Sequence, residues 1–270
     1  MFYFRRLLVF AAAVWLAAAG FVSAAEEPNL TVEQMREFLL TANVTNNKQL
    51  GTGKTHPWRL TLSNGTLTHD AAFQPVDIQK NMIVIGGRTL LNFRDTYHYN
   101  IAAYELAKLL GLDDMMPVTV ERSWNRQRGA VSWWIPKKWD EAERRKLNLP
   151  APDVDAWNKQ MYKVLVFAEL VYDTDRNQGN ILITEDWKIW MIDFTRAFRL
   201  DRELQEPKNL TRCERKLVEK LRQLNGDELL EKTKPHLGKS EVKAVMARRD
   251  KIVAYFDKAV AERGEAAVLY

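Results

Sequence analysis

The chain has 270 residues, 46% hydrophobic and 28% charged, a balance that excludes a disordered, collagen-like or low-complexity chain. This length suits one large domain or a two-lobed fold. The single cysteine, Cys213, excludes a disulfide framework and any cysteine-cluster metal site, and His56, His69, His98 and His236 lack metal-ligand spacing.

The first 25 residues read as a secretory signal peptide. Arg5 and Arg6 form a basic start, Leu7–Gly20 is an apolar run, and Val22-Ser23-Ala24 offers small residues for cleavage. This predicts an exported protein, periplasmic or secreted. The alternative is a membrane anchor over residues 7–25. Without Arg5 and Arg6 the net charge falls from +5 to +3, too balanced to argue for a nucleic-acid partner, and none is expected.

Thr31 and Gln34 form a capping box for a first helix running to about Thr41. Asn43–Thr55, polar with Gly51 and Gly53, reads as a loop. A hairpin follows, Arg59–Leu62 and Leu67–Phe73 around Asn64-Gly65, then a short strand, Met82–Ile85, ended by Gly86-Gly87. Asp95 is placed as the cap of a helix over residues 96–110, closed by Gly111. Pro117–Glu121 and Ala130–Ile135 read as strands around a polar turn. Beyond Pro136 come a short helix (Asp140–Leu147), a linker (Pro150–Asp155), a core helix (Trp157–Val171), a hairpin and a helical tail from Thr211. Cys213 is expected to be an inert helix residue.

The chemistry concentrates between Tyr172 and Thr195. A buried helix leads into a polar loop carrying Asp175 and, five residues on, Asn180. Asn180 opens the strand Ile181–Thr184, the chain returns through Ile189–Ile192, and Asp193 ends the return strand. A tight antiparallel hairpin brings Asn180 and Asp193 to the same end. Hard oxygen ligands of this kind suit Mg²⁺ or Mn²⁺ bridging phosphate oxygens. Asp175 is left to accept a hydroxyl proton, the arrangement that phosphoryl transfer requires.

Asp175-Arg176-x-x-x-Asn180-Ile181-Leu182 followed by Ile192-Asp193-Phe194 resembles the catalytic and metal loops of the protein-kinase-like superfamily. The likeness is to its phosphatidylinositol 3-/4-kinase-type branch, with HipA-type and secretory-pathway kinases sharing the layout. Thr195 stands where that family usually has glycine. The resemblance implies an α+β, two-lobed fold: a sheet lobe over residues 26–135 and a helical lobe over 136–270 with the catalytic and metal loops. It implies Asp175 as catalytic base and Asn180 and Asp193 as metal ligands.

Kinases of this layout hold the nucleotide phosphates with a strand lysine paired to a helix glutamate. Here the corresponding positions carry Gln74 and Asn100, two neutral amides that would hydrogen-bond to each other. Glu105 is the alternative helix partner in a shifted register. Lys54, in the glycine loop with Gly51 and Gly53, is the candidate replacement cation, with Lys80 and Arg88 behind it. Trp134 falls where a hinge would meet adenine. The expected activity is metal-dependent transfer of phosphate from ATP or a related nucleotide. The acceptor hydroxyl would belong to a protein, lipid headgroup or small alcohol. The alternative is a pseudokinase that binds nucleotide, metal or a partner without turnover.

Overall fold

The computed structural model describes residues 30–51, 57–85 and 87–270. The leader, Gly53 and Lys54 lie outside the described residues. Helix α1 (Val32–Thr41) starts at the expected cap: the Thr31 hydroxyl accepts from Gln34 N and the Gln34 side chain accepts from Thr31 N. Five strands then form an antiparallel sheet: β1 (Asn43–Gln49), β2 (Trp58–Ser63), β3 (Thr68–Gln74), β6 (Thr119–Trp124) and β7 (Gln127–Trp133), in the order β1-β2-β3-β7-β6. Residues 43–49 were expected as loop and are an edge strand. The strand is polar and mostly exposed, held by backbone pairing with β2, so alternation carried no signal.

One face of this sheet buries Leu60, Leu62, Ala71, Phe73, Val131 and Trp133, and α1 closes it, with Phe38 edge-on to Trp133 at 5.7 Å. Each fully buried side chain of this kind contributes about 2 kcal/mol. The register pairs Phe73 with Val131 and Gln74 with Ala130, so Gln74 lies on the opposite face. Helix α2 (His98–Leu110) crosses that second face, packing Tyr97 and Ile101 on Ala130.

Between β3 and α2 the chain makes a long hairpin, β4 (Asp77–Ile85) with β5 (Arg88–Thr96). The short strand expected at Met82–Ile85 is the end of β4. Asp95 was expected to cap α2 and instead lies in β5, because its carboxylate is taken up by Arg196; Tyr97 is the N-cap. Gly111 ends α2 as expected, in the left-handed region at φ 68°, donating to Ala107 O and Lys108 O. The β6–β7 turn is the two-residue Asn125-Arg126, with φ 48° and 63°.

The rest is mainly helical. Strand β8 (Trp139–Asp140) joins the small sheet β10-β9-β8, with β9 (Ile181–Ile183) and β10 (Ile189–Met191). Helices α3 (Glu141–Lys146), α4 (Val154–Val171), α5 (Arg215–Gln223), α6 (Gly226–Thr233), α7 (Lys239–Arg263) and α8 (Glu265–Val268) complete it. Helix α4 begins three residues before Trp157 because Asp153 caps it, accepting from Ala156 N. From α7, the fully buried Arg248 donates to Leu170 O and Arg199 O, tying α4 to the segment after Asp193. Burial without a carboxylate partner pushes its guanidinium down to about 10. Cys213 is not helical: it bridges Leu269, and burial raises its thiol to about 12, leaving it inert. No helix among the described residues is long and apolar enough to cross a membrane.

Candidate active site

Helix α4 ends at Tyr172, whose left-handed conformation (φ 50°) turns the chain into the polar loop. Asp173, with no exposed side-chain surface, fixes that loop by accepting from Asp175 N at 3.0 Å and Arg176 Nε at 2.8 Å. Arg176 carries the connection onward. Its guanidinium donates to Asn180 O (2.9 Å), Ile192 O (2.7 Å) and Asp193 O (3.1 Å), and it lies over the Phe194 ring at 4.2 Å. One cation therefore clamps both ends of the β9–β10 hairpin to the Asp175 loop. The sequence marked Arg176 only as part of a motif; its neighbouring carboxylate, Asp173, was the available sign of an anchor.

The hairpin places Asn180 and Asp193 at one end, with Ile192 N bonded to Asn180 O at 3.1 Å. The Asn180 amide donates from Nδ2 to Asp175 O at 3.0 Å, which directs its oxygen away from the loop backbone. Asp193 sits in the left-handed region at φ 57°, a conformation Asp tolerates better than most residues. Its Oδ1 accepts from Thr195 Oγ1 at 3.1 Å and from Gln74 Nε2 at 3.4 Å. Burial holds the Asp193 carboxyl above its ordinary value, against the opposing pull of Thr195, the Arg176 charge and Gln74. Thr195 thus supplies a hydroxyl that orients the Asp193 carboxylate.

Gln74 and Asn100 meet in the register read from the sequence: Asn100 Nδ2 donates to Gln74 Oε1 at 2.6 Å. Asn100 Oδ1 also accepts from Phe194 N at 2.6 Å. Through this one side chain α2 is tied to β3 and to the loop carrying Asp193. Glu105 faces elsewhere, toward Arg36 and Lys108.

Asp175 is partly exposed, and its Oδ2 accepts from Arg196 Nη1 at 3.0 Å. Arg196 Nε donates in turn to Asp95 Oδ2 at 2.7 Å. The Arg196–Asp95 pairing crosses 101 residues of chain and has no local signature in the sequence.

Two of the nucleotide candidates make no direct contact with this network. Trp134 is half-buried beyond β7, with the Arg59 guanidinium 4.5 Å over its ring and Arg59 in turn bonded to Asp70. Gly51 is exposed at the start of the β1–β2 connection, and a side chain there would meet none of the described residues within 4 Å.

Among the described residues no group of three or more His, Cys, Asp or Glu side chains is assembled around a common point. A phosphate-bridging Mg²⁺ or Mn²⁺ needs fewer protein ligands. It keeps waters and takes one or two carboxylates. The Asn180 amide oxygen and the Asp193 carboxylate supply hard donors of the right kind. A dication beside Asp193 would offset a buried charge that the protein only partly compensates.

The architecture has solved counterparts. The structure of hydra Fam20 with sugar superposes with a TM-score of 0.68 at 15% identity, over 88% of this chain and 92% of that one. The Golgi casein kinase with Mn/ADP bound gives 0.65 at 13% identity, over 88% and 78%. The Helicobacter pylori proinflammatory kinase CtkA gives 0.56 at 10%, over 83% and 98%. The chain has a protein-kinase-like fold. No family model matches the sequence, and no curated protein matches it. Within this atypical-kinase fold, β3 and α2 supply Gln74 and Asn100, and the Asp175 loop and Asp193 lie beside them.

Proposed function

We propose that this protein is an exported, metal-dependent phosphotransferase that moves phosphate from ATP or a related nucleotide to an acceptor hydroxyl. The observation that supports it most is the Arg176 clamp, which ties the backbone at Asn180, Ile192 and Asp193 to the loop that carries Asp173 and Asp175. Asp175 is the general base. Its exposed carboxylate takes the acceptor hydroxyl proton, oriented by Asp173 through the backbone and by Arg196 at Oδ2. Asn180 and Asp193 would hold Mg²⁺ or Mn²⁺, which when bound neutralises phosphate charge. The nucleotide would lie along the sheet face that carries Gln74, with Trp134 and Gly51 as candidate contacts and Gly53 and Lys54 following Gly51 in the chain. Residues 26–135 serve as the nucleotide-side lobe and 136–270 as the catalytic lobe. The Golgi casein kinase with Mn/ADP bound supports nucleotide and divalent metal as the ligands to test first. Export rests on the leader.

A second reading is favoured by one observation: the Gln74–Asn100 pair holds no charge, as in a pseudokinase that binds without turnover. Thermal shift with ATP or ADP, with and without Mn²⁺, on wild type and Asp193→Ala tests both. Absence of any shift refutes both readings. If nucleotide binds, Asp175→Ala is expected to lose phosphate transfer and keep the shift; transfer retained by that variant removes Asp175 from its role.

A further inference from the structure

Strands β4 and β5 pair with no other strand among the described residues and pack chiefly on each other. Their root is held firmly. Thr96 N donates to Thr195 O, Arg196 donates to Asp95, and Arg199 donates to the carbonyls of Leu91 and Asn92. Beyond the root, Met82, Val84 and Leu91 are 61%, 62% and 62% exposed, and Ile78 is 42% exposed. All four share one face: Ile78, Met82 and Val84 by alternation along β4, and Leu91 because it stands directly opposite Met82. Lys80 lies on the same face and is its one exposed charge, since Asp95 at the root is buried. A contiguous row of exposed large apolar side chains marks an interaction surface.

Charge and area then narrow the partner. From Gln79 to Asn92 the chain carries Lys80 and Arg88 and no acidic residue. Gln127 lines the same hollow as Ile78 and Lys80, so the β6–β7 turn, with Arg126 and Arg128 exposed, stands beside the hairpin. Asp77 falls on the opposite face. Apolar side chains flanked by basic ones match an anionic lipid surface. Two strands of nine residues present roughly 10 Å by 30 Å, about 300 Å², against about 800 Å² per partner in a stable protein interface. A lipid surface sets no such minimum and needs no complementary shape.

We propose that the β4–β5 hairpin is a membrane-docking element that lays its Met82, Val84 and Leu91 face on an anionic lipid surface. The hairpin lies flat. Its outer strand edges carry backbone groups without a partner strand, and such groups do not enter hydrocarbon, so only the side chains reach the acyl boundary. Lys80 and the turn arginines meet lipid phosphates. Because the hairpin root is bonded to Thr195, Arg196 and Arg199, docking holds the segment after Asp193 beside the membrane.

The test reads the hairpin itself. Cys213 is the chain's single cysteine and is buried, so Val84→Cys supplies the one accessible thiol for a polarity-sensitive dye. The full chain is used, and the dye reports from position 84 whatever the apolar leader does in lipid. On vesicles of three parts phosphatidylcholine to one part phosphatidylglycerol, at low salt, the emission is expected to shift to the blue. On phosphatidylcholine alone the partition coefficient is expected to fall at least about tenfold, because each basic charge near an anionic surface contributes about fivefold. Lys80→Glu, a change of two charges, is expected to lower it by a similar factor on the anionic vesicles. Met82→Asp combined with Leu91→Asp, both at exposed positions, is expected to abolish the shift. The proposal is overturned by no shift on anionic vesicles, by equal partition on neutral ones, by a partition coefficient unchanged in Lys80→Glu, or by a shift retained in the double variant. A blue shift that grows with protein concentration in the absence of vesicles assigns the face to a second copy and overturns it as well.

Discussion

Asn100 is the point where α2, β3 and the Asp193 loop are joined, and its removal should be felt in all three. Asn100→Ala deletes two hydrogen bonds, to Gln74 Oε1 and from Phe194 N, both at 2.6 Å. Each net bond is worth about 1 kcal/mol, and stranding the buried Phe194 N–H adds about 1–2 kcal/mol more. The expected loss is about 3–4 kcal/mol, read from urea unfolding followed by tryptophan fluorescence. Gln74→Ala alone should cost less, because it leaves the Phe194 bond intact. The double variant should then fall short of additivity by about 1 kcal/mol, the coupling of one direct bond. A loss below about 0.5 kcal/mol for Asn100→Ala, with additivity in the double variant, would falsify the idea that this amide pair braces the site.

Asp193 offers a prediction of opposite sign. Burial raises its carboxyl above the ordinary 3.8, so stability falls as the pH rises from 3.8, and the loss is complete once the pH passes the raised value. Without metal at neutral pH, Asp193→Asn is expected to raise the melting temperature while losing any Mn²⁺-induced shift. A lowered melting temperature counts against the burial argument. The His98–His236 contact predicts a pH dependence. The two Nδ1 atoms lie 2.9 Å apart, a distance that suits one donor and one acceptor. Burial, then the His98 charge, then Arg128 hold His236 below 6.5, against Glu121 and Glu105. The unfolded chain therefore takes up its proton first. Stability should be full above about pH 6.5 and fall as the pH drops toward the lowered value. Urea midpoints between pH 7.5 and 5 should show this in wild type and less of it in His236→Phe; equal slopes remove the pair as the cause.

Elements with an apolar face or a cap were legible in the sequence: α1 through Thr31 and Gln34, the end of α2 through Gly111, and the catalytic hairpin through its two apolar runs. Strand β1 was not, since an exposed edge strand needs only a partner's backbone. The hairpin β4–β5 was only half legible. Ile78, Met82, Val84 and Leu91 are exposed on it, so its apolar residues do not mark a buried face. Asp95 misled because a cap and an ion-pair partner look alike in sequence, and its partner, Arg196, lies 101 residues away. At the candidate site, the local motif pointed to Asp175, Asn180 and Asp193, whose roles are the proposal made above. The side chains that hold them, Asp173, Arg176, Thr195 and Arg196, emerged only once both loops were folded against each other.

The missing strand lysine has a consequence for how nucleotide would bind. Phosphates bring several negative charges to a mouth that already holds Asp175 and Asp193. The nearby cations are committed elsewhere: Arg176 to Asp173 and three carbonyls, Arg196 to Asp95 and Asp175, and Arg199 to the carbonyls of Leu91 and Asn92. Among the described residues at this mouth, Gln74 offers a neutral amide where a kinase has its ammonium. Compensating charge would then arrive with a metal held by Asn180 and Asp193, or from one of the candidate cations, Lys54 first and Lys80 and Arg88 behind it. Nucleotide binding should accordingly depend on metal more steeply than in a lysine-bearing kinase. ADP without Mn²⁺ is expected to give no thermal shift in wild type and a measurable one in Gln74→Lys, where the new ammonium replaces part of the missing charge. Lys54→Ala separates the two sources: if wild type binds ADP without metal and Lys54→Ala does not, the cation comes from the glycine loop. A metal-free shift equal to the Mn²⁺ shift and unaffected by Lys54→Ala would refute this charge balance.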